Sequence, residues 1–205
     1  MLDIVQGSEA WHKQRLGKAT ASRIADIIAK TKSGYSTSRD NYQAQLICER
    51  LTQTPTEGFT NSAMAWGTET EPLARKAYEA LTFTDVVEVA MIDHPTIPMA
   101  GASPDGLVSN DGLVEIKCPN TATHIDTLLT QKVPSKYITQ MQWQMACTNR
   151  AWCDFVSFDP RLPAHLQLFV KRIDRDAEFI LETEAEVKKF LAEVSEKITA
   201  LEALK

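Results

Sequence analysis

No stretch of the 205 residues approaches the roughly 18 consecutive apolar positions that a membrane-spanning helix needs. The opening MLDIVQGSEAW has neither the basic nor the apolar region of a secretory leader. These absences predict a soluble, untargeted protein that works in the cytoplasm. Eight Gly and nine Pro are too few for a fibrous or low-complexity chain. The four cysteines, Cys48, Cys118, Cys147 and Cys153, form no C-x-x-C pair and are too sparse for a secreted disulfide framework, so reduced thiols are expected. His12, His94, His124 and His165 lack metal-ligand spacing, and no G-x-S-x-G, P-loop or G-x-G-x-x-G occurs. Zinc chemistry, serine hydrolysis and nucleoside triphosphate use are therefore not expected. Positive charge is also short: 22 Lys/Arg against 27 Asp/Glu leave a net charge of −5, which argues against a protein that coats a nucleic acid.

What is present is a chain that is 43% hydrophobic, without internal repeats or a Pro/Gly/Ser linker. Residues 1–205 thus read as a single domain able to bury about 70% of its unfolded surface. The charge is segregated: 1–50 carry eight basic against five acidic residues, 51–119 three against ten, 120–175 seven against four, and 176–205 four against eight. An acidic middle between two basic segments suits a cation site flanked by anion-binding surfaces, or simply solvated faces.

Helical signals dominate the first 80 residues. Ser8 can cap a short helix ending at Gly17, Thr20 can cap one carrying Ile24, Ile27 and Ile28, and Tyr42, Leu46 and Ile47 continue the period in a third. A basic Gly/Ser/Thr loop, KTKSGYSTS, separates the second from the third, and a fourth helix runs from about Asn61 to Leu81. The pattern then changes to short β-branched or aromatic runs at 86–93, 106–109, 112–118, 152–158 and 166–173. Helical stretches at about 122–131 and 135–148 interrupt them, and an acidic, Lys-bearing helix over about 176–204 closes the chain. This order predicts an α/β fold, a mixed β-sheet flanked by helices on both faces. Trp11, Trp66, Trp143 and Trp152 read as core residues.

SPDG at 103–106 is followed by VEIKC at 114–118. Alternate residues of a strand share a face, so Glu115 and Lys117 point together while Val114, Ile116 and Cys118 turn away. A buried carboxylate and ammonium side by side are costly unless used or paired. Asp105, at the start of the neighbouring strand, falls across from Glu115. Two carboxylates at the mouth of a sheet offer the hard oxygen ligands that Mg²⁺ prefers and leave positions for water and phosphate. Taken alone the motif is weak, because an acid-x-Lys triplet arises by chance about once or twice in such a chain.

The wider pattern is more specific. AWHKQRLGKATAS (10–22), AMAWGTETE (63–71), SPDGL (103–107), LVEIKCP (113–119), YITQMQ (137–142) and FDPR (158–161) together resemble the PD-(D/E)XK nucleases, and among them the lambda-type phage exonucleases of the YqaJ-like viral recombinase family. The resemblance covers about residues 6–175; in place of the family's longer tail this sequence ends in the Glu-rich helix. It implies a PD-(D/E)XK restriction-endonuclease-like core and a metal-dependent exonuclease that degrades the 5′-ended strand of linear duplex DNA, leaving 3′ overhangs for phage-type recombination by single-strand annealing. Asp105 would bridge two Mg²⁺ ions, for which Mn²⁺ can substitute. Glu115 and the main-chain carbonyl of Ile116 would complete one ion, and Lys117 would orient or activate the attacking water. Glu71 would lie near the metals and Gln140 beside the lysine, an assignment over Gln142 that rests on the alignment. Arg15 would bind the 5′-terminal phosphate with Ser22 and Ser103, and Met64 would be an apolar wedge between the strands.

The resemblance further implies a homotrimeric ring, a single-strand annealing protein as partner, no membrane, and a phage or prophage gene expressed in a bacterial host. Lys30, Lys32 and Arg39 around the basic loop suit backbone contacts. Plainer readings stand beside these: Arg15 on a helix surface, Ser22 at a helix start, Glu71 on a solvated helix face, Met64 in the core, and solvated lysines. Two rival functions also remain at this point, another PD-(D/E)XK nuclease such as an endonuclease or junction resolvase, and a catalytically silent DNA-end-binding scaffold.

Overall fold

The computed structural model describes residues 4–56 and 62–204; Asn61, where the fourth helix was expected to start, lies outside them. The first half is helical. Ser8 caps α1 (Glu9–Arg15), its hydroxyl accepting the Trp11 N–H at 3.2 Å. There follow β1 (Ala19–Thr20), a single 3₁₀ turn, α2 (Ile24–Ile28), α3 (Thr37–Thr52) and the long α4 (Ser62–Thr82). Thr20 caps no helix; its hydroxyl accepts from Arg15 instead. The expected basic loop is partly ordered as the hairpin β2 (Lys30–Thr31) and β3 (Gly34–Tyr35).

The second half builds the sheet from β4 (Val86–Val87), β7 (Gly106–Val108), β8 (Gly112–Lys117), β9 (Trp152–Phe158) and β10 (Leu168–Asp174), in the order β10-β9-β8-β7-β4. The β8–β9 pairing is parallel and the others antiparallel. A parallel neighbour requires a crossover, supplied here by α5 (Thr121–Thr130) and α6 (Ser135–Thr148). The run 86–93, expected as one strand, is split. Val86 and Val87 pair with β7, whereas β5 (Ile92–Asp93) joins a small sheet with β6 (Ala100–Ala102) and β1. The β6 strand, AGA, was not legible because Ala and Gly disfavour strands. Its small residues are required by packing: a Cβ on Gly101 would lie 2.5 Å from the Met91 side chain and 2.7 Å from the Ile92 carbonyl oxygen.

β8 is the pivot. Val114 and Ile116 face α4, packing with Ala74 and Tyr78, while Leu113 faces α6 with Met141 and Met145. A further core gathers Ile24, Ile27, Tyr42, Leu46, Trp143 and Phe190, the last from the closing helix α7 (Ala177–Glu202). Of the tryptophans only Trp143 is core. Trp11, Trp66 and Trp152 are half-buried and carry the guanidinium groups of Arg15, Arg161 and Arg172 on their rings. Among the described residues no helix is long and apolar enough to cross a membrane.

Candidate active site

The antiparallel register pairs Gly106 with Val114, so Asp105, one residue earlier, meets Glu115 across the two strands. The Asp105 carboxylate accepts the Ile116 N–H at 2.7 Å. Glu115 is 0% exposed, and both of its oxygens are held: Gln140 Nε2 donates to Oε1 and Gln144 Nε2 to Oε2, each at 2.6 Å. The Lys117 ammonium pairs with the same carboxylate. Burial, and then the charge of Glu115, holds the Asp105 carboxyl well above its usual range. Burial acts to lower the Lys117 value, but Glu115 and Asp105 outweigh it, and the lysine stays cationic. Glu71, on α4, is raised by burial against the pull of Arg75 and Lys117; Arg75 bridges Glu71 at 2.8 Å and Glu88 at 2.6 Å. The structure thus brings together Asp105, Glu115, Lys117 and Gln140, with Glu71 close enough to feel the lysine.

Among the described residues no group of three or more His, Cys, Asp or Glu side chains is placed to hold a metal ion. The donors on offer are two carboxylates and the Ile116 carbonyl. An all-oxygen, incomplete set suits Mg²⁺, which keeps several waters and takes substrate phosphate as a ligand. A cation drawn between the two carboxyls would offset the burial and the Glu115 charge that hold the Asp105 acid above its usual range.

A second cluster lies alongside. Arg15 donates to the hydroxyls of Ser103 and Thr20 at 3.3 and 3.4 Å, rests on the Trp11 ring 4.2 Å away, and has no ion pair among the described residues. Trp11 Nε1 also donates to Ser103, at 3.0 Å. Burial lowers the Arg15 value, and the nearby Tyr42 and Glu49 offset it only in part. Ser22 is exposed on the 3₁₀ turn and makes no hydrogen bond to Arg15. Met64 is 53% exposed, so it is no core methionine. Lys32 is exposed.

The basic-loop expectation is corrected at Arg39. Arg39 is 2% exposed and donates to Glu193 of α7 at 2.6 Å, so it is a buried structural ion pair and no backbone contact. Lys30 is engaged by Glu186 of α7 at 2.7 Å. Sequence reasoning missed Gln144, Trp11 and Thr20. Helical spacing could have found Gln144, four residues after Gln140 and therefore on the same face; the other two depend on how α1 folds back on Ser103.

Comparison with known proteins bears on the fold and the family. No curated protein sequence matches the chain. Two crystal structures of LHK-Exo, an alkaline exonuclease from Laribacter hongkongensis, one of them in complex with dAMP, share 55% identity with it. Each covers 96% of this chain and 97% of its own, with a TM-score of 0.90. A phage-related exonuclease from Haemophilus somnus 129PT, 17% identical with a TM-score of 0.74 over 90% of this chain and 96% of its own, shows the same fold. The YqaJ-like viral recombinase domain matches residues 10–151, a span that contains Arg15, Glu71, Asp105, Glu115, Lys117 and both glutamines, and so the chain belongs to the YqaJ-like viral recombinase family.

Proposed function

We propose that this chain is a Mg²⁺-dependent exonuclease that degrades the 5′-ended strand of linear duplex DNA and leaves 3′ overhangs for recombination by single-strand annealing. The observation that carries the reading is the position of Arg15. A half-buried arginine with no direct ion pair among the described residues has a fork free for an anion, and it is held on Ser103, two residues before Asp105. An extended chain spans about 7 Å over two residues, close to the size of one nucleotide. A terminal 5′-phosphate on Arg15 would therefore set the next phosphodiester at the Asp105–Glu115 pair. That LHK-Exo was crystallised with dAMP, a mononucleotide of the kind such cleavage releases, supports the same reading.

In this scheme Asp105, Glu115 and the Ile116 carbonyl would hold the metal, whose chemistry there would be to acidify water and to offset charge on the leaving 3′-oxygen. Lys117 directs its charge at the water and the scissile phosphate. Gln140 and Gln144 fix both Glu115 oxygens, so the carboxylate cannot rotate between roles, and Glu71 helps position the water or the lysine. Ser22 and Lys32 are exposed, as residues contacting DNA phosphates would be, and the exposed Met64 suits a wedge that parts the strands. The proposed assembly is a homotrimeric ring around DNA, working beside a single-strand annealing protein. The test is incubation of linear and closed-circular duplex with Mg²⁺, Mn²⁺ or EDTA. Loss of the linear substrate alone, dependent on the metal, is expected; cutting of the closed circle would overturn the exonuclease reading.

A further inference from the structure

The FDPR motif contributes nothing to the site described above, yet its arginine lines a cavity. A pocket of about 280 Å³ is bounded by Ser62, Trp66, Asn120 and Arg161. Asp159, the motif's acid, is fully buried and spends both oxygens internally: Oδ1 accepts from Arg161 Nε at 2.7 Å and from the Arg161 N–H at 3.0 Å, and Oδ2 accepts from Arg161 Nη2 at 2.9 Å and the Thr121 hydroxyl at 2.7 Å. Arg161 is thereby held flat, 4.3 Å over the Trp66 ring, with Nη1 making no hydrogen bond among the described residues. Asn120 uses its Oδ1 to cap α5, accepting the Thr123 N–H at 2.9 Å, which leaves its Nδ2 hydrogens unused. The indole N–H of Trp66 has no acceptor. Among the described residues the side-chain groups left over around the pocket are thus donors, beside an arginine whose charge Asp159 balances, and apart from the Ser62 oxygen they include no spare acceptor. Such a set recognises an anionic oxygen ligand.

The pocket is tied to the active site through two elements. Asn120 follows Lys117 by three residues, at most about 11 Å of chain, and Trp66 precedes Glu71 by five residues on α4, about 7.5 Å along the helix. We propose that Ser62, Asn120 and Arg161 form a second phosphate subsite, which holds a backbone phosphate of the DNA one or two nucleotides from the scissile bond. This rests on the nuclease reading and adds to it a substrate contact separate from the terminal-phosphate cluster at Arg15. Its role is to keep the duplex in register as the end is consumed, by a contact that carries no sequence information.

Arg161→Ala would strip Asp159 of its partner and endanger the fold, so the test uses Asn120. Asn120→Asp keeps an N-cap acceptor but puts a negative charge in the pocket, and Asn120→Ser keeps the cap and removes the donor. Duplex binding is measured by fluorescence anisotropy in EDTA, so that no cleavage is needed, over a range of salt, with thermal melting as the control for folding. Asn120→Asp is expected to weaken binding about tenfold or more at low salt and to lower the slope of log K against log salt by about one; Asn120→Ser is expected to weaken it about two- to fivefold. Equal affinity and slope in both folded variants would overturn the subsite. Titration with dAMP separates the sources of phosphate: if Asn120→Asp lost dAMP binding while duplex binding stood unchanged, the pocket would hold released product and the backbone assignment would fall. Failure of the wild type to bind duplex or degrade linear DNA would instead sink the nuclease reading.

Discussion

Glu115 is a fully buried acid with both oxygens taken by glutamine amides and an ammonium beside it, an arrangement that fixes its direction as well as its charge. Asp105→Ala, Glu115→Ala and Lys117→Ala are each expected to cut DNA hydrolysis at least a thousandfold while thermal melting shows a folded protein and duplex binding survives; near-wild-type turnover in any one rejects that residue's role. Gln144→Leu leaves Glu115 Oε2 without its donor in a dry site, so a loss of 10- to 100-fold in kcat is expected, from about 1–3 kcal/mol for an unmet buried acceptor. For Arg15 the readout is the DNA end. Duplex with a 5′-phosphate should be degraded about 10- to 100-fold faster than the same duplex with a 5′-hydroxyl, the worth of a charge-assisted bond, and Arg15→Ala should erase most of that difference. A mutant equally slow on both ends would make Arg15 a general structural residue. At this scale the sequence was informative where residues sit close along the chain. Asp105, Glu115 and Lys117 could be read from strand alternation and a turn, whereas Trp11 meets Ser103 across 92 positions, a separation that no local pattern encodes.

The elements that carry these side chains are bound together by polar contacts at their ends as well as by cores. Asp159, just past β9, ties the start of α5 through Thr121 and holds Arg161 in place. Burial alone would raise the Asp159 carboxyl, but the bonds from Arg161 and Thr121 outweigh it and hold it at about 2. Because the folded value lies below the unfolded one near 3.9, the link stabilises above about pH 4 and is lost as pH falls towards 2. With Arg161 half-exposed, solvent screening keeps the contribution of the link small. Asp159→Asn should therefore lower the melting temperature at pH 7, and the gap to wild type should close by pH 2–3; a constant gap across that range would refute the assignment. The closing helix α7 is equally structural. Phe190 is fully buried and stacks on Tyr42 with ring centroids 5.6 Å apart. Phe190→Ala should cost about 3–5 kcal/mol in urea unfolding. The amphipathic pattern made α7, α6 and β9 legible, since strong periodicity decides them locally. The split of 86–93 and the AGA strand were not, because pairing partners set them and not propensity.

For the molecule as a whole, a net charge of −5 gives little attraction for a polyanion, so topology must hold the DNA if digestion is processive. A closed ring with head-to-tail contacts does so, and light scattering should return about three times 22.9 kDa; a monomeric mass in active enzyme would leave only the single-subunit chemistry. The segregated charges do not simply separate into a basic lining and an acidic exterior. Glu186 and Glu193 of the acidic helix engage Lys30 and Arg39 of the basic segment within the subunit, which leaves Arg15, Lys32 and Arg161, beside Lys117, as the basic groups proposed to meet DNA. The sequence by itself determined the α/β class, the carboxylate–lysine strand and the family, because alternation, turns and ordered motifs are written in local spacing. Only the tertiary structure decided that Arg39 is a buried partner of α7, that Gln144 shares Glu115 with Gln140, and that Arg15 lies beside Ser103 with no direct ion pair among the described residues. Those outcomes follow from which faces meet when the chain closes on itself, and a charge reads the same in sequence whether it ends beside a carboxylate, in water or facing an empty place for a phosphate.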